Sequence, residues 1–225
     1  VCGDGLFIIT YPDLSNYIYI QTMKDTSQTY THRGYTIRGW YNDNKRQYHT
    51  KIASNIKNGT IVEVGVYGGA SILSIVDESK LNNNTIYAID PWELVELSNG
   101  VEIEDLYGWQ TMMKGHRETL DKIVSELYYG HVNIIKDFSI NAVNMFEDKS
   151  IDMVYIDADH SYEMTKQDMN IWYPKIKIGG VLSGDDYGWS GVEKAVVEFV
   201  EKLNTETPNS CIPIINKDTW QIKVQ

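Results

Sequence analysis

Apolar positions along this chain follow two rhythms. Short runs rich in β-branched residues fall at 60–64, 85–89, 132–136, 151–156 and 180–183, and each is nearly continuous rather than alternating. Runs of that length suit strands buried on both faces. Between them, apolar residues recur three and four apart: Tyr48, Ile52 and Ile56 within 42–58; Met112, Leu120, Ile123 and Leu127 within 109–127; Val192, Val196, Phe199 and Val200 within 191–203. That spacing predicts helices, and 71–80, a short segment ending at Phe146, and 162–176 fit between the remaining strands. At the tail, 211–215 and 220–224 flank Asn216-Lys217-Asp218, a hairpin signal. The sum is an α/β fold: a seven-stranded, mostly parallel sheet with helices on both faces and an antiparallel last strand.

Residues 1–45 hold neither rhythm for long. The runs 5–10 and 15–22 read either as short strands or as an arm without regular structure. Tyr30, Tyr35, Trp40 and Tyr41 crowd beside His32, Arg33 and Arg38. Such a cluster either packs the arm onto the core or forms a lid, since aromatic faces accept flat ligands and sugar rings. The expected division is an N-terminal arm or lid at 1–45 and one α/β domain at 46–225. A chain of 225 residues is long enough for a single large core.

The strand ends change the picture from architecture to chemistry. The run 151–156 ends in Asp157-Ala158-Asp159-His160, and the run 180–183 is followed by Gly184 and then Asp185-Asp186. With one helix between them, the two strands are expected to be parallel neighbours, so both acidic ends lie on the carboxyl edge, where α/β sheets bind ligands. One aspartate at a strand tip can be a helix cap. Several on one edge repel unless a pKa rises or a cation sits between them. An oxygen-only set favours a hard cation, with Mg²⁺ first. A divalent-metal site among Asp157, Asp159, Asp185 and Asp186 is therefore expected on this edge.

A second feature sits at the end of 60–64. Glu63 leads into Gly65-Val66-Tyr67-Gly68-Gly69-Ala70-Ser71, and the next helix starts there. Strand, glycine-rich turn and helix in that order can receive a nucleotide-like ligand at the helix N-terminus. Asp90, 21 residues after Gly69, ends the next strand and is placed to bind ribose hydroxyls. The pattern GxGxxG is absent, which argues against NAD and for a nucleoside ligand without a pyrophosphate. A long segment follows Asp90; its part at 93–105 is acidic and reads as a loop over the carboxyl edge.

Charge and composition narrow the class further. The net charge of −11 argues against nucleic acid as partner. No run of 18 apolar residues exists, so no membrane span is expected. No signal-like segment opens the chain, which starts at Val1 rather than Met, so a few upstream residues are expected. The two cysteines, Cys2 and Cys211, have no zinc spacing, and a reducing, cytoplasmic setting is the expectation.

These residues together resemble a known family. Glu63-Val-Gly-Val-Tyr67-Gly-Gly-Ala-Ser71 is similar to the first motif of class I S-adenosylmethionine methyltransferases, whose fold is Rossmann-like. The catechol and caffeoyl-CoA O-methyltransferase branch is similar at Asp90, at Tyr155-Ile-Asp157-Ala-Asp159 and at Ser183-Gly-Asp185-Asp186, though that branch usually ends Asp-Asn there. The run Asp185-Asp-Tyr-Gly-Trp189, with Glu193-Lys-Ala-Val-Val-Glu-Phe199, looks more like the macrocin O-methyltransferase family, which methylates sugar hydroxyls with Mg²⁺. The resemblance spans roughly 60–199 and leaves 1–45 uncovered.

The resemblance implies S-adenosylmethionine as cofactor and, from the two metal motifs, Mg²⁺ held by Asp157, Asp185 and Asp186. Glu63, Gly65, Tyr67, Gly69 and Ser71 would hold its amino-acid end, Asp90 the ribose with Trp92 nearby, Asp137 and Ser139 would border the adenine, and Asp157 would lie beside it. It also implies a small hydroxylated acceptor, a sugar or nucleotide sugar, and leaves room for a homo-oligomer. Phenol-methylating relatives carry a lysine where this chain has His160. A histidine with a pKa near 6.5 can take the acceptor's proton, and Asp159 is the rival base. The competing readings are a phenol O-methyltransferase, a methyltransferase that needs no metal, and a nucleoside-binding subunit without catalysis.

Overall fold

Each apolar run becomes a strand where its continuous pattern lets both faces be covered. The structure, a computed structural model, describes residues 5–9, 19–23, 28–93, 106–206 and 211–225. In chain order the elements are β1 (Gly5–Ile9), β2 (Tyr19–Met23), β3 (Gln28–His32), β4 (Tyr35–Gly39), α1 (Asp43–Ala53), β5 (Thr60–Val64), α2 (Ala70–Leu81), β6 (Thr85–Ile89) and α3 (Leu106–Leu127). There follow β7 (Val132–Ile135), α4 (Ser139–Ala142), β8 (Ile151–Ile156), α5 (Tyr162–Trp172), β9 (Ile176–Gly184), α6 (Ser190–Glu206), β10 (Ile214–Asn216) and β11 (Thr219–Lys223).

Seven strands form one sheet in the order β10-β11-β9-β8-β5-β6-β7. The five from β9 to β7 are parallel, and β11 runs antiparallel to β9. From β5 the chain moves outward to β6 and β7, then returns to β8 on its other side. That reversal makes the tips of β5 and β8 the switch point, where neighbouring crossovers diverge and leave a crevice. Alternate residues of the strands feed two cores. Ile61, Met153 and Tyr155 meet the side of α1, α2 and α3. Val62, Val64, Val154 and Ile156 meet the side of α5 and α6.

Several boundaries differ from the sequence reading: the helix expected at 42–58 already ends at Ala53. The helix expected at 162–176 ends at Trp172, and a tight 3₁₀ turn over Tyr173–Lys175 follows. Pro174 has no N–H to extend the helical ladder. Strand β9 therefore begins at Ile176, which pairs with Ile151, and the next pair is Met153 with Val181. Gly179, at φ +82°, and Gly180 fill the extra length on β9. The hairpin strand expected at 211–215 forms at Ile214–Asn216 instead, opposite β11.

At the N-terminal end β1 pairs with β2, and β3 pairs with β4, in two separate antiparallel ribbons. The second ribbon lies on the α/β core: Ile37 and Tyr41 are buried in the cluster around α2 and α3. Tyr30 donates its hydroxyl to the Tyr41 carbonyl and accepts from the Tyr41 N–H at 3.0 Å. Asn42 caps α1 by accepting from the N–H groups of Asn44 and Lys45. The loop expected at 93–105 lies outside the described residues beyond Glu93. Among the described residues, no helix is long and apolar enough to cross a membrane.

Candidate active site

The tips of β5, β6, β7, β8 and β9 open into one cavity of about 1000 Å³. That volume is at the upper end for small-molecule sites and exceeds what one compact ligand needs. Two glycines bring the walls together. Gly65, at φ +86°, lies so close to the tip of β8 that a Cβ would overlap the Asp157 carbonyl. Gly68 lies against the Arg38 carbonyl at the end of β4, so the same turn touches the N-terminal ribbon. Trp40 follows that ribbon, packs against Tyr67 in a tilted pair with centroids 4.8 Å apart, and lines the cavity while 44% exposed.

Asp90 organises the turn. Its Oδ2 accepts from the N–H groups of Val66 and Tyr67 at 2.8 and 2.9 Å. Its Oδ1 accepts from the Trp92 N–H at 2.6 Å. The Trp92 indole N–H then donates to the Tyr67 carbonyl at 2.8 Å. Tyr67 and Trp92 both have positive φ, 49° and 44°, a strained region for bulky residues that these reciprocal bonds hold in place.

Glu63 sits one layer behind. It faces the α2 side opposite Tyr155 and accepts from the Ser71 hydroxyl. Burial pushes its carboxyl well above the usual range, with Asp157 and Asp90 adding to the rise, while the Ser71 bond opposes it. Of the expected cofactor residues, Gly65, Tyr67, Ser71, Asp90, Asp137, Ser139 and Asp157 line the cavity, whereas Glu63, Gly69 and Trp92 stand behind its wall. Asp137 caps the following turn, its Oδ1 accepting from the Phe138 N–H and the Asn141 amide.

The acidic centre is built around His160. One ligand atom each from Asp157, His160 and Asp186 lies within 4.8 Å of the others. His160 Nε2 is 2.9 Å from Asp186 Oδ2 and 3.9 Å from Asp157 Oδ1. Burial alone would lower the imidazole's pKa, but the bonds to Asp157 and Asp186 outweigh it and lift the group to about 10. Asp186, with φ +56°, is held below the usual carboxylate range: burial opposes this, and His160 overrides it. Asp159 is exposed and accepts from the Ser161 N–H at 2.7 Å.

Asp185 lies deeper. Its Oδ2 accepts from Lys45, a lysine of α1 that the sequence reading did not single out. Its Oδ1 is buried and has no partner among the described residues. Burial, then Asp157, push the Asp185 carboxyl up to about 7, against the pull of Lys45. Lys45 itself keeps its proton: burial lowers its pKa, and Asp185 more than restores it. An unpaired buried oxygen beside two further carboxylates fits a hard divalent cation. Lys45 shares the buried face of α1 with Tyr48, His49 and Ala53, so a charge within an apolar stripe was the signal available in the sequence.

The fold is Rossmann-like, with one large cavity at the carboxyl edge of its parallel strands. Residues 62–187 match the family described as "Methyltransferase domain", and the chain belongs to that family. No curated protein sequence matches it. Among solved structures it is similar to the O-methyltransferase NovP, with 18% identity over 81% of this chain and 78% of that one, and a TM-score of 0.58. It is also similar to the SAH-bound Podospora anserina methyltransferase PaMTH1, with 14% identity over 83% and 80% of the two chains, and a TM-score of 0.59. At such identities the likeness speaks for the fold.

Proposed function

We propose that this methyltransferase moves the methyl group of S-adenosylmethionine to a hydroxyl oxygen of a sugar or sugar-containing small molecule, with a divalent cation, Mg²⁺ first, at Asp157, Asp185 and Asp186. The observation that carries this reading is the juxtaposition of the acidic centre with the Asp90-pinned glycine turn in one cavity. The O-methyltransferase NovP shares the fold, which supports oxygen as the target. His160, where phenol-methylating relatives carry lysine, together with Trp40 and Trp189 on the cavity wall, supports a sugar ring rather than a phenol.

Methyl transfer from a sulfonium is a single displacement, so the protein's work is alignment and removal of one proton. The cation, when bound, would lower the pKa of the acceptor hydroxyl and fix its position. Asp157, Asp185 and Asp186 supply the negative charge that also suits a cationic methyl donor. His160 cannot accept a proton while Asp157 and Asp186 face it uncompensated, because their pull keeps it protonated. It becomes a base only when their charge is taken up elsewhere. In this reading Asp159 keeps the loop after β8 in place through Ser161, and it remains the rival base.

A second reading has its own observation. Lys45 and His160 already place two positive charges against the three carboxylates, so the centre is nearly balanced without a metal. The test is transfer of labelled methyl from S-adenosylmethionine to a panel of hydroxylated acceptors, nucleotide sugars first, with and without EDTA. Activity lost in EDTA and restored by Mg²⁺ supports the first reading. Full activity in EDTA selects the second, and no transfer to any hydroxyl acceptor refutes both.

A further inference from the structure

Asp168 is a buried carboxylate that nothing above employs. It stands on α5, is 3% exposed, and still lines the cavity. Its Oδ1 accepts from the Ser139 hydroxyl at 2.5 Å. Ser139 in turn accepts from the Trp172 indole N–H at 2.8 Å, so its own proton is committed to Asp168. Among the described residues Oδ2 has no hydrogen-bond partner, and Asp168 lines the cavity. A carboxylate placed this way faces a ligand with a fixed acceptor oxygen and no freedom to turn.

Its position along the sheet selects the part of the ligand. The strands run β5, β6, β7 side by side. The glycine turn follows β5, Asp90 ends β6, and Ser139 follows β7. A nucleoside whose sugar lies at Asp90 extends its base toward Ser139. There the cavity offers apolar walls from Pro91, Phe138 and Ile140, and one buried acceptor, Asp168. An apolar slot with one placed polar group is how a pocket reads a heterocycle.

Resting on the assignment of S-adenosylmethionine as cofactor, we infer that Asp168 is the specificity-determining residue for the base, its free carboxylate oxygen accepting a hydrogen bond from the exocyclic amine of adenine. Hypoxanthine, which carries a carbonyl oxygen in place of that amine, meets acceptor with acceptor and is rejected. The chain Trp172–Ser139–Asp168 fixes which oxygen is used. Burial pushes the Asp168 carboxyl up to about 6, with the Ser139 bond opposing, so above neutral pH the group is an acceptor only.

The experiment is calorimetric binding at pH 8 of S-adenosylhomocysteine and of S-inosylhomocysteine, its hypoxanthine counterpart, to the wild type and to Asp168→Asn. The wild type is expected to favour the adenosyl ligand by about tenfold or more, the scale of one hydrogen bond to a charged group. In Asp168→Asn the amide oxygen stays with the Ser139 hydroxyl, so the NH₂ group faces the cavity, and the preference is expected to reverse. Equal binding of the two ligands by the wild type overturns the inference without any variant. Equal weakening of both by the substitution also overturns it and leaves Asp168 as a support for Ser139. If neither ligand binds the wild type, the cofactor assignment itself fails, and the inference falls with it.

Discussion

His160 is held between two carboxylates that decide its charge. With Asp157 and Asp186 facing it, the imidazole is a donor. With their charge taken up, it can accept the acceptor's proton. His160→Ala is expected to lower turnover by about 10²–10⁴-fold, the usual worth of a general base, with S-adenosylhomocysteine affinity within about twofold of wild type on the same scale of effect. Steady-state rates and calorimetry check it, and a dead Asp159→Asn beside an active His160→Ala would reverse the assignment. Asp168 gives a pH dependence whose sign can be worked out. Its folded pKa, about 6, lies above the ordinary carboxylate value. Its stabilising contribution is therefore complete below the unfolded pKa and is lost as pH rises through about 6. Asp168→Asn escapes that loss, so its stability relative to wild type is expected to rise by about 1–3 kcal/mol between pH 4 and pH 8. Urea unfolding of both proteins at the two pH values measures the difference.

Elements meet at the turn after β5, and there backbone contact matters more than side chains. Gly65→Ala adds a Cβ against the Asp157 carbonyl in a left-handed conformation. It is expected to cost well over the ~1–2 kcal/mol of the conformation alone. Gly34→Ala, at φ +88° with nothing within 4 Å, is the control and carries only the conformational cost. Chemical denaturation of the two variants separates overlap from strain. The parallel strands were legible because runs covered on both faces are continuously apolar and end in acids. The α5–β9 boundary was not, because Ile176 satisfies the helical spacing of 162–176 as well as a strand. Lys45 and Asp168 escaped for a related reason: their partners lie 140 and 29 residues away, at Asp185 and Ser139, and no local pattern announces either pair.

For the molecule as a whole, the N-terminal ribbon and α1 belong to the site and not merely to its surroundings. Trp40 lines the cavity and Lys45 reaches Asp185, so residues expected to form an arm supply both a wall and a charge. Lys45→Met removes the cation that pairs with Asp185 among the described residues and is expected to lower affinity for S-adenosylhomocysteine by less than about threefold while lowering turnover by about tenfold or more, since breaking a buried pair leaves an uncompensated charge in the reacting half of the cavity. Calorimetry beside rate measurements separates the two, and an equal fall in both would place Lys45 in general support of the fold. The acidic clustering at strand tips was readable from the sequence alone, whereas the balance of charge within it was not.

Asp90 carries a lesson for whoever mutates it. The acid expected to grip the ribose already anchors three backbone N–H groups from the ends of two strands. Alanine there removes the anchor and the grip together, so a drop in ligand affinity would be misread as a lost sugar contact. The informative change is on the ligand instead. A 2′-deoxy or 3′-deoxy analogue leaves the protein's own scaffold untouched and reports the hydroxyl contact by itself.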